Sequence, residues 1–258
     1  MTNRNAWLFN VLGLPAYWQQ SQRTRQGMDV DQQIVRYGPY RRQYAVVVRG
    51  KTSRPEQLAF YFHGGAWTFG RPENFVAAAR PWLALGFTVV LPSYRRPPTV
   101  GLDRVMQDCR MALAHFASPA VTDLHLGGIS AGAHLAAVLA LQADNWQTNG
   151  WRVSPQKVLL CAGPLCLTDL WPATVFGRYP HLDPYRLLGQ AEAQTAWQLL
   201  HGTADGMVSC HHSHRFHEKL ESLGHDARLL TLPGGTHLDS GRWMFDGPGV
   251  TVVQDFLR

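Results

Sequence analysis

Short apolar runs alternate with longer amphipathic stretches along most of the chain, a rhythm that implies an α/β architecture. Val30 to Tyr37 and Tyr44 to Arg49 show strand-like alternation on either side of Gly38-Pro39, which predicts an opening antiparallel pair. Buried-looking runs follow at Leu58 to Phe62, Phe87 to Leu91, Leu124 to Gly128 and Lys157 to Cys161, then at Trp197 to Leu200 and Ala227 to Leu232. Between them the pattern predicts helices at Asn74 to Leu85, Val105 to Phe116, Ala131 to Ala143, Ser209 to Leu223 and Arg242 to Leu257. Strands spaced by helices predict a mostly parallel sheet covered on both faces, with reactive groups gathered at the carboxyl ends of its strands. Ahead of the first strand, Trp7, Leu8, Val11 and Leu12 recur at helical spacing. That helix is expected to end at Gly13 and Pro15, before the aromatic pair Tyr17 and Trp18.

The length of 258 residues sits at the upper end of what one hydrophobic core holds, so residues 1–258 are expected to form a single domain. With 45% hydrophobic and 16% charged residues the chain is too apolar for disorder. The net charge of +6 raises the question of nucleic acid, and its distribution argues against it. The densest group (Arg36, Arg41, Arg42, Arg49, Lys51, Arg54) lies on strand-like sequence, spread over two faces and a turn rather than along one groove-facing helix. No window carries the 18 apolar residues of a membrane span. Ala6 to Leu14 is interrupted by Asn10 and Gly13, preceded only by Arg4 and followed by no A-x-A site. It reads as a retained helix rather than a signal peptide, and a cytoplasmic location is expected. Cys109, Cys161, Cys166 and Cys210 contain no C-x-x-C pair and are expected as buried free thiols.

The strongest chemical signal is Gly128-Ile129-Ser130-Ala131-Gly132, a G-x-S-x-G placed directly after a predicted strand and before a predicted helix. A sharp turn there presents Ser130 beside a helix N-terminus, and the glycines remove Cβ atoms that would collide with neighbouring strands. His63-Gly64-Gly65-Ala66-Trp67 follows the third predicted strand. Its two glycines let backbone N–H groups turn inward, so Gly64 and Gly65, with Ala131, are the candidate oxyanion donors. His63 is read as a brace for that loop. A serine nucleophile needs a base, itself oriented by a carboxylate. The loop after Trp197 to Leu200 carries Asp205, and the loop after Ala227 to Leu232 carries His237, which makes these the candidate acid and base in the chain order Ser, acid, His. Asp169, after the preceding strand, is the alternative acid. Asp239 lies too close to His237 in sequence to orient its ring easily.

These motifs resemble those of the α/β-hydrolase superfamily, and H-G-G-A-W narrows the resemblance to the hormone-sensitive-lipase-like carboxylesterases and the kynurenine formamidases. The resemblance covers roughly residue 30 to the end, and Gly128 to Ala136 is similar to the formamidase group. It implies an α/β-hydrolase fold, no cofactor, and a Ser130, Asp205, His237 triad with oxyanion donors at Gly64, Gly65 and Ala131. The expected activity is cleavage of a small carboxylic ester or amide through an acyl-enzyme. N-formylkynurenine hydrolysis, or a biosynthetic acyl transfer, cyclisation or elimination, stand as alternatives. Receptors on this scaffold lack the base, and His237 is present. The chain departs from the pattern at Tyr94-Arg95-Arg96-Pro97-Pro98, where many relatives have Y-R-L-x-P and Arg96 replaces an apolar residue.

Cys210, His211, His212, His214 and His217 crowd one segment, but only His214 and His217 share a helix face and no second carboxylate cluster accompanies them, so no metal is expected. His134 is expected within the helix–sheet layer. Trp171, Phe176, Tyr179 and Tyr185 interleave with Pro172, Pro180 and Pro184, which predicts irregular covering structure over 166–189. Together with residues 1–28 this segment is expected to form a lid. Trp18, Trp67, Arg96, Trp171, Phe176 and Tyr179 are the candidate substrate contacts, and self-association as a homodimer is left open.

Overall fold

The computed structural model describes residues 4–142, 146, 150–191 and 194–258, with the backbone alone over 4–12. Eight strands form one sheet: β1 (Asp31–Arg36), β2 (Tyr44–Arg49), β3 (Gln57–Phe62), β4 (Thr88–Pro92), β5 (Asp123–Ile129), β6 (Lys157–Cys161), β7 (Ala196–Gly202) and β8 (Ala227–Leu232). Their order is β1-β2-β4-β3-β5-β6-β7-β8. β1 pairs antiparallel with β2, and β2 with β4. Every later pairing, from β4·β3 to β7·β8, is parallel. The chain winds from β3 to β4 on one side and then returns past β3 to β5, so the carboxyl ends of β3 and β5 flank the switch point where such sheets open a crevice.

Alternation along each strand sorts the core into two layers. Leu58, Phe60 and Phe62 of β3 face one layer with Ala45 and Val47 of β2, covered by α3 (Leu102–His115), α4 (Ala131–Leu141), the short α5 (Ala173–Phe176) and α6 (Pro184–Leu187), and α7 (His211–Ser222). Ala59 and Tyr61 face the other with Val46 and Val48, under a 3-10 segment (Pro72–Ala79), α2 (Arg80–Ala84) and α8 (Val250–Leu257). Gly127 lets the second layer close. A Cβ there would stand 3.1 Å from Tyr61 Cδ2 and 3.2 Å from Trp82 Cη2. Trp82 is fully buried and donates from Nε1 to His125 Nδ1 at 3.1 Å.

Three helices differ from their expected form. The first, α1, runs from Arg4 to Gln26 straight through Pro15 instead of ending there. Packing overrides the missing N–H: Tyr17 is buried, its ring 5.1 Å from Phe245 in an edge contact, and Ser21 Oγ donates to the Asn74 carbonyl. The first half of the expected helix over Asn74 to Leu85 is 3-10 and most of the remainder is α2. Pro81 cannot donate to the carbonyl four residues back, and the Arg80 N–H turns instead to Ala77 O. The expected helix from Arg242 to Leu257 breaks in two at Asp246 (φ 61°) and Gly249 (φ 83°). A Cβ at Gly249 would come within 2.7 Å of Leu200 Cδ2, so at this break the backbone lies close against a side chain of β7. Cys109, Cys161 and Cys166 are buried free thiols, while Cys210 is half-exposed.

Candidate active site

Ser130 sits between the last residue of β5 and the first of α4 with φ 56° and ψ −124°, a conformation that costs a non-glycine residue on the order of 1–3 kcal/mol. The surroundings impose it. Ser130 N–H donates to Cys161 O at 2.8 Å, and its own carbonyl accepts from His134 N at 3.2 Å. A Cβ on Gly128 would lie 2.4 Å from the Gly132 backbone, and one on Gly132 only 2.0 Å from Phe62 O. The two flanking glycines are therefore steric requirements of a helix pressed against the ends of β3 and β5. All of α4 from Ala131 to Leu141 is buried, which holds its positive N-terminal end rigidly at Ser130.

The loop after β3 closes on the same point. A Cβ at Gly64 would be 3.0 Å from Ile129 O and 3.3 Å from Ser130 Cβ, so loop backbone lies directly against the serine. Gly65 takes φ 124°, and Thr68 and Phe69 donate back to its carbonyl at 2.9 Å. Among the described residues the N–H groups of Gly64, Gly65 and Ala131 donate to no other backbone carbonyl. His63 is the brace expected of it: fully buried, stacked on Tyr94 at 4.5 Å, and donating from Nδ1 to Gly64 O at 2.8 Å. Burial pushes its imidazole down to about 3, so it is neutral and poorly suited to accept a proton.

β7 and β8 supply the remaining groups. A Cβ on Gly202 would meet Gly235 O at 2.2 Å, and Ala204 N donates to the same carbonyl at 2.9 Å, so the loops after the two strands run in backbone contact. That contact brings His237 Nδ1 to 2.7 Å from Asp205 Oδ2. The Asp205 carboxylate also accepts from the N–H groups of Met207 (2.8 Å) and Val208 (2.9 Å), and from His201 Nε2 at 3.1 Å. Burial works to raise this carboxyl, but the charge of His237 and the bonds from both histidines outweigh it and hold the group well below the usual carboxylate range. His201 was missed in the sequence as a partner. Its signal there is a histidine ending a strand four residues before an aspartate, and Ser213 Oγ fixes its other nitrogen at 2.7 Å.

Ser130, His237, Gly64, Gly65 and Met207 line one cavity of about 50 Å³, whose remaining wall is apolar: Leu14, Tyr17 and Trp18 of α1, with Phe69, Phe75, Ile129 and Leu238. A groove of about 460 Å³ between the end of α1, α2 and α8 shares no residue with it. Asp169 is not brought to His237. It pairs with Arg215 at 2.5 Å. Asp239 is spent on the Thr236 N–H and hydroxyl, both at 2.7 Å, and on Arg242.

Of the expected substrate contacts, Trp18 lies on the cavity wall and the others do not. Positive φ at Ala66 (46°) and Trp67 (59°) turns Trp67 away into the core, 5.2 Å from His134 and 5.7 Å from Phe176. Phe176 packs on that far side of the loop, and Tyr179 reaches Gly101. Trp171 is 88% exposed. The insertion thus covers the outside of the glycine loop rather than the serine. Arg96 is buried outside the cavity wall. The side chains of Trp7, Leu8, Val11 and Leu12 lie outside the described residues. His134 is in the helix–sheet layer as expected, its Nε2 bonded to Leu182 O at 2.8 Å. Of the crowded histidines, His212 accepts from Cys166 N and His217 donates to Ala227 O, while His211 and His214 are exposed. Among the described residues no helix is long and apolar enough to cross a membrane.

Residues 59–208 match the family model described as alpha/beta hydrolase fold. A kynurenine formamidase of Salmo salar is 32% identical over 113 residues, 43% of this chain and 37% of that protein, so the chain spans little more than a third of this curated relative. Esterase B of Lactobacillus rhamnosis is 17% identical in a match covering 98% of this chain and 96% of that one, with a TM-score of 0.71. A hyperthermophilic esterase of the archaeon Pyrobaculum calidifontis is 19% identical over 97% and 91% of the two chains, with a TM-score of 0.70. At these identities the two structural likenesses concern the fold. The family match covers more than half of the chain, from β3 through the serine elbow to the loop after β7, and the chain belongs to the alpha/beta hydrolase fold family.

Proposed function

We propose that the protein is a cofactor-free serine hydrolase that cleaves a small carboxylic ester or amide through an acyl-enzyme. The observation that carries this reading is the convergence of strained Ser130 and His237 on one cavity, with His237 oriented by the buried Asp205 at 2.7 Å. His237 takes the Ser130 proton on Nε2 as Oγ attacks the carbonyl carbon. The resulting imidazolium is stabilised by Asp205, whose bond to Nδ1 also fixes the tautomer. The N–H groups of Gly64, Gly65 and Ala131 receive the oxyanion. The proton then passes to the leaving alcohol or amine, and water enters by the same route in reverse to release the acid. A cavity of about 50 Å³ with an apolar wall favours a short acyl group.

Kynurenine formamidase activity is the second reading, favoured by the 32% identical relative and by the small cavity, which suits a formyl group. A fluorophosphonate probe with a panel of p-nitrophenyl esters and N-formylkynurenine tests both. Probe adduct on Ser130 and turnover of short acyl esters are expected. Adduct elsewhere, or none, overturns the nucleophile, and preference for N-formylkynurenine over every ester selects the formamidase.

A further inference from the structure

An acid that orients one base needs to meet one histidine, yet two converge on Asp205 Oδ2. His237 Nδ1 stands 2.7 Å from that oxygen and His201 Nε2 3.1 Å, while Oδ1 is taken by the N–H groups of Met207 and Val208. His201 is fully buried in β7, and both of its nitrogens are bonded. Nε2 faces two acceptors, the ionised Asp205 and the Val208 carbonyl at 3.0 Å, neither of which has a proton to give. Nε2 therefore carries the hydrogen, which leaves Nδ1 to accept from the Ser213 hydroxyl of α7 at 2.7 Å.

This arrangement rules out His201 as a second base. With both nitrogens engaged and its side chain outside the cavity wall, it has no route to Ser130 Oγ. What it can do is compete. Two N–H donors share one carboxylate oxygen, and the bond from His201 makes that oxygen a weaker partner for the proton His237 gains. The two bonds to Oδ1 come from the backbone and do not depend on His201. Without it the carboxylate would stay in place, with Oδ2 given over to His237.

The charges around this cluster are quiet near neutral pH. Burial, then the charge of Asp205, pushes the Cys210 thiol up, and burial pushes the His212 imidazole down to about 4, so both face the pair from α7 as neutral groups. Beyond His237, Asp239 and Arg242 are paired with each other at 2.7 Å.

We propose that His201 is a positioning residue for His237, acting through Asp205: by sharing Oδ2 it limits how tightly the acid holds the protonated base, and so keeps that base free to take a proton near neutral pH. This rests on the hydrolase reading and extends its machinery by one side chain, with Ser213 behind it.

Rates on phenyl acetate from pH 5.5 to 8.5 test it. In His201→Leu, kcat/KM at pH 6 should fall by roughly 3- to 10-fold and recover by pH 8.5, as an acid limb moved to higher pH entails. KM should hold, because His201 does not line the cavity. His201→Gln, whose amide can place an N–H near the same point, should restore the wild-type profile. Ser213→Ala removes the bond that polarises the ring and should move the limb the same way, by about two-fold at pH 6, which keeps the test decisive where His201→Leu does not fold. A loss equal at every pH and unrepaired by His201→Gln is a packing effect and overturns the proposal, as does a limb that stays put or moves to lower pH. A second readout needs no turnover. NMR titration of protein with isotope-labelled histidines, His237 being assigned by its absence from His237→Asn, should show His237 losing its proton at higher pH in His201→Leu. Failure of the fluorophosphonate to label Ser130 sinks the hydrolase reading while the titration still reports on His201. Labelling with an unmoved profile and an unmoved titration sinks the role of His201 alone.

Discussion

In the proposed mechanism Ser130→Ala removes the attacking atom from a backbone that the glycines already hold in place, so folding should persist while kcat falls by roughly 10⁴-fold or more in ester assays. Asp205→Asn should cost about as much by favouring the wrong imidazole tautomer of His237. Asp169→Asn, which only frees Arg215, should leave kcat/KM within a few-fold. Steady-state kinetics of the three variants check the order, and the reverse ranking of the two aspartates would move the acid. The positions of Ser130, Asp205 and His237 were legible because each follows a strand, and strand order survives in sequence. The His201–Asp205 bond and the Asp169–Arg215 pair were not, since both depend on how loops fold back after the strands end.

Strands were the easiest elements to read, and three of them, Tyr44–Arg49, Lys157–Cys161 and Ala227–Leu232, have the expected bounds. Helix ends were harder because proline has two outcomes. Pro81 stands in the first turn of the short α2, after a 3-10 segment that ends at Ala79, whereas at Pro15 the buried Tyr17 keeps the helix going. The aromatic insertion misled for a related reason: composition marks a segment as covering something without saying which surface it covers. Its placement reverses one expectation. Trp171→Ala should leave the acyl preference as it is, because the ring stands in solvent. Trp18→Ala, which opens the cavity wall, should extend the ester panel toward longer acyl chains and raise KM while the probe still labels Ser130. Chain-length profiles on p-nitrophenyl esters separate the two.

For the molecule as a whole, acid is the expected weakness. Burial holds His63 near 3 and His134 and His212 near 4, against about 6.5 in an unfolded chain. Above pH 6.5 both states are neutral at these sites and stability does not depend on them. Between 6.5 and about 4 the unfolded chain binds protons that the native state refuses, so stability falls as pH falls, by about 1.4 kcal/mol per unit for each group fully in its window. Asp205, held low, loses its contribution further down. Urea midpoints from pH 8 to 4.5 should drop steeply below 6.5, with a shallower fall in His134→Leu.

The strand order carries one more consequence. Gly64, Ser130, Asp205 and His237 hang from β3, β5, β7 and β8, and no two of the four share a loop. Each pairing in the parallel sheet closes a long stretch of chain, which makes the search slow and leaves no local nucleus that already contains the site. During refolding, then, helical signal should return well before the serine reacts with its probe, and the appearance of reactivity marks the moment the last strand docks.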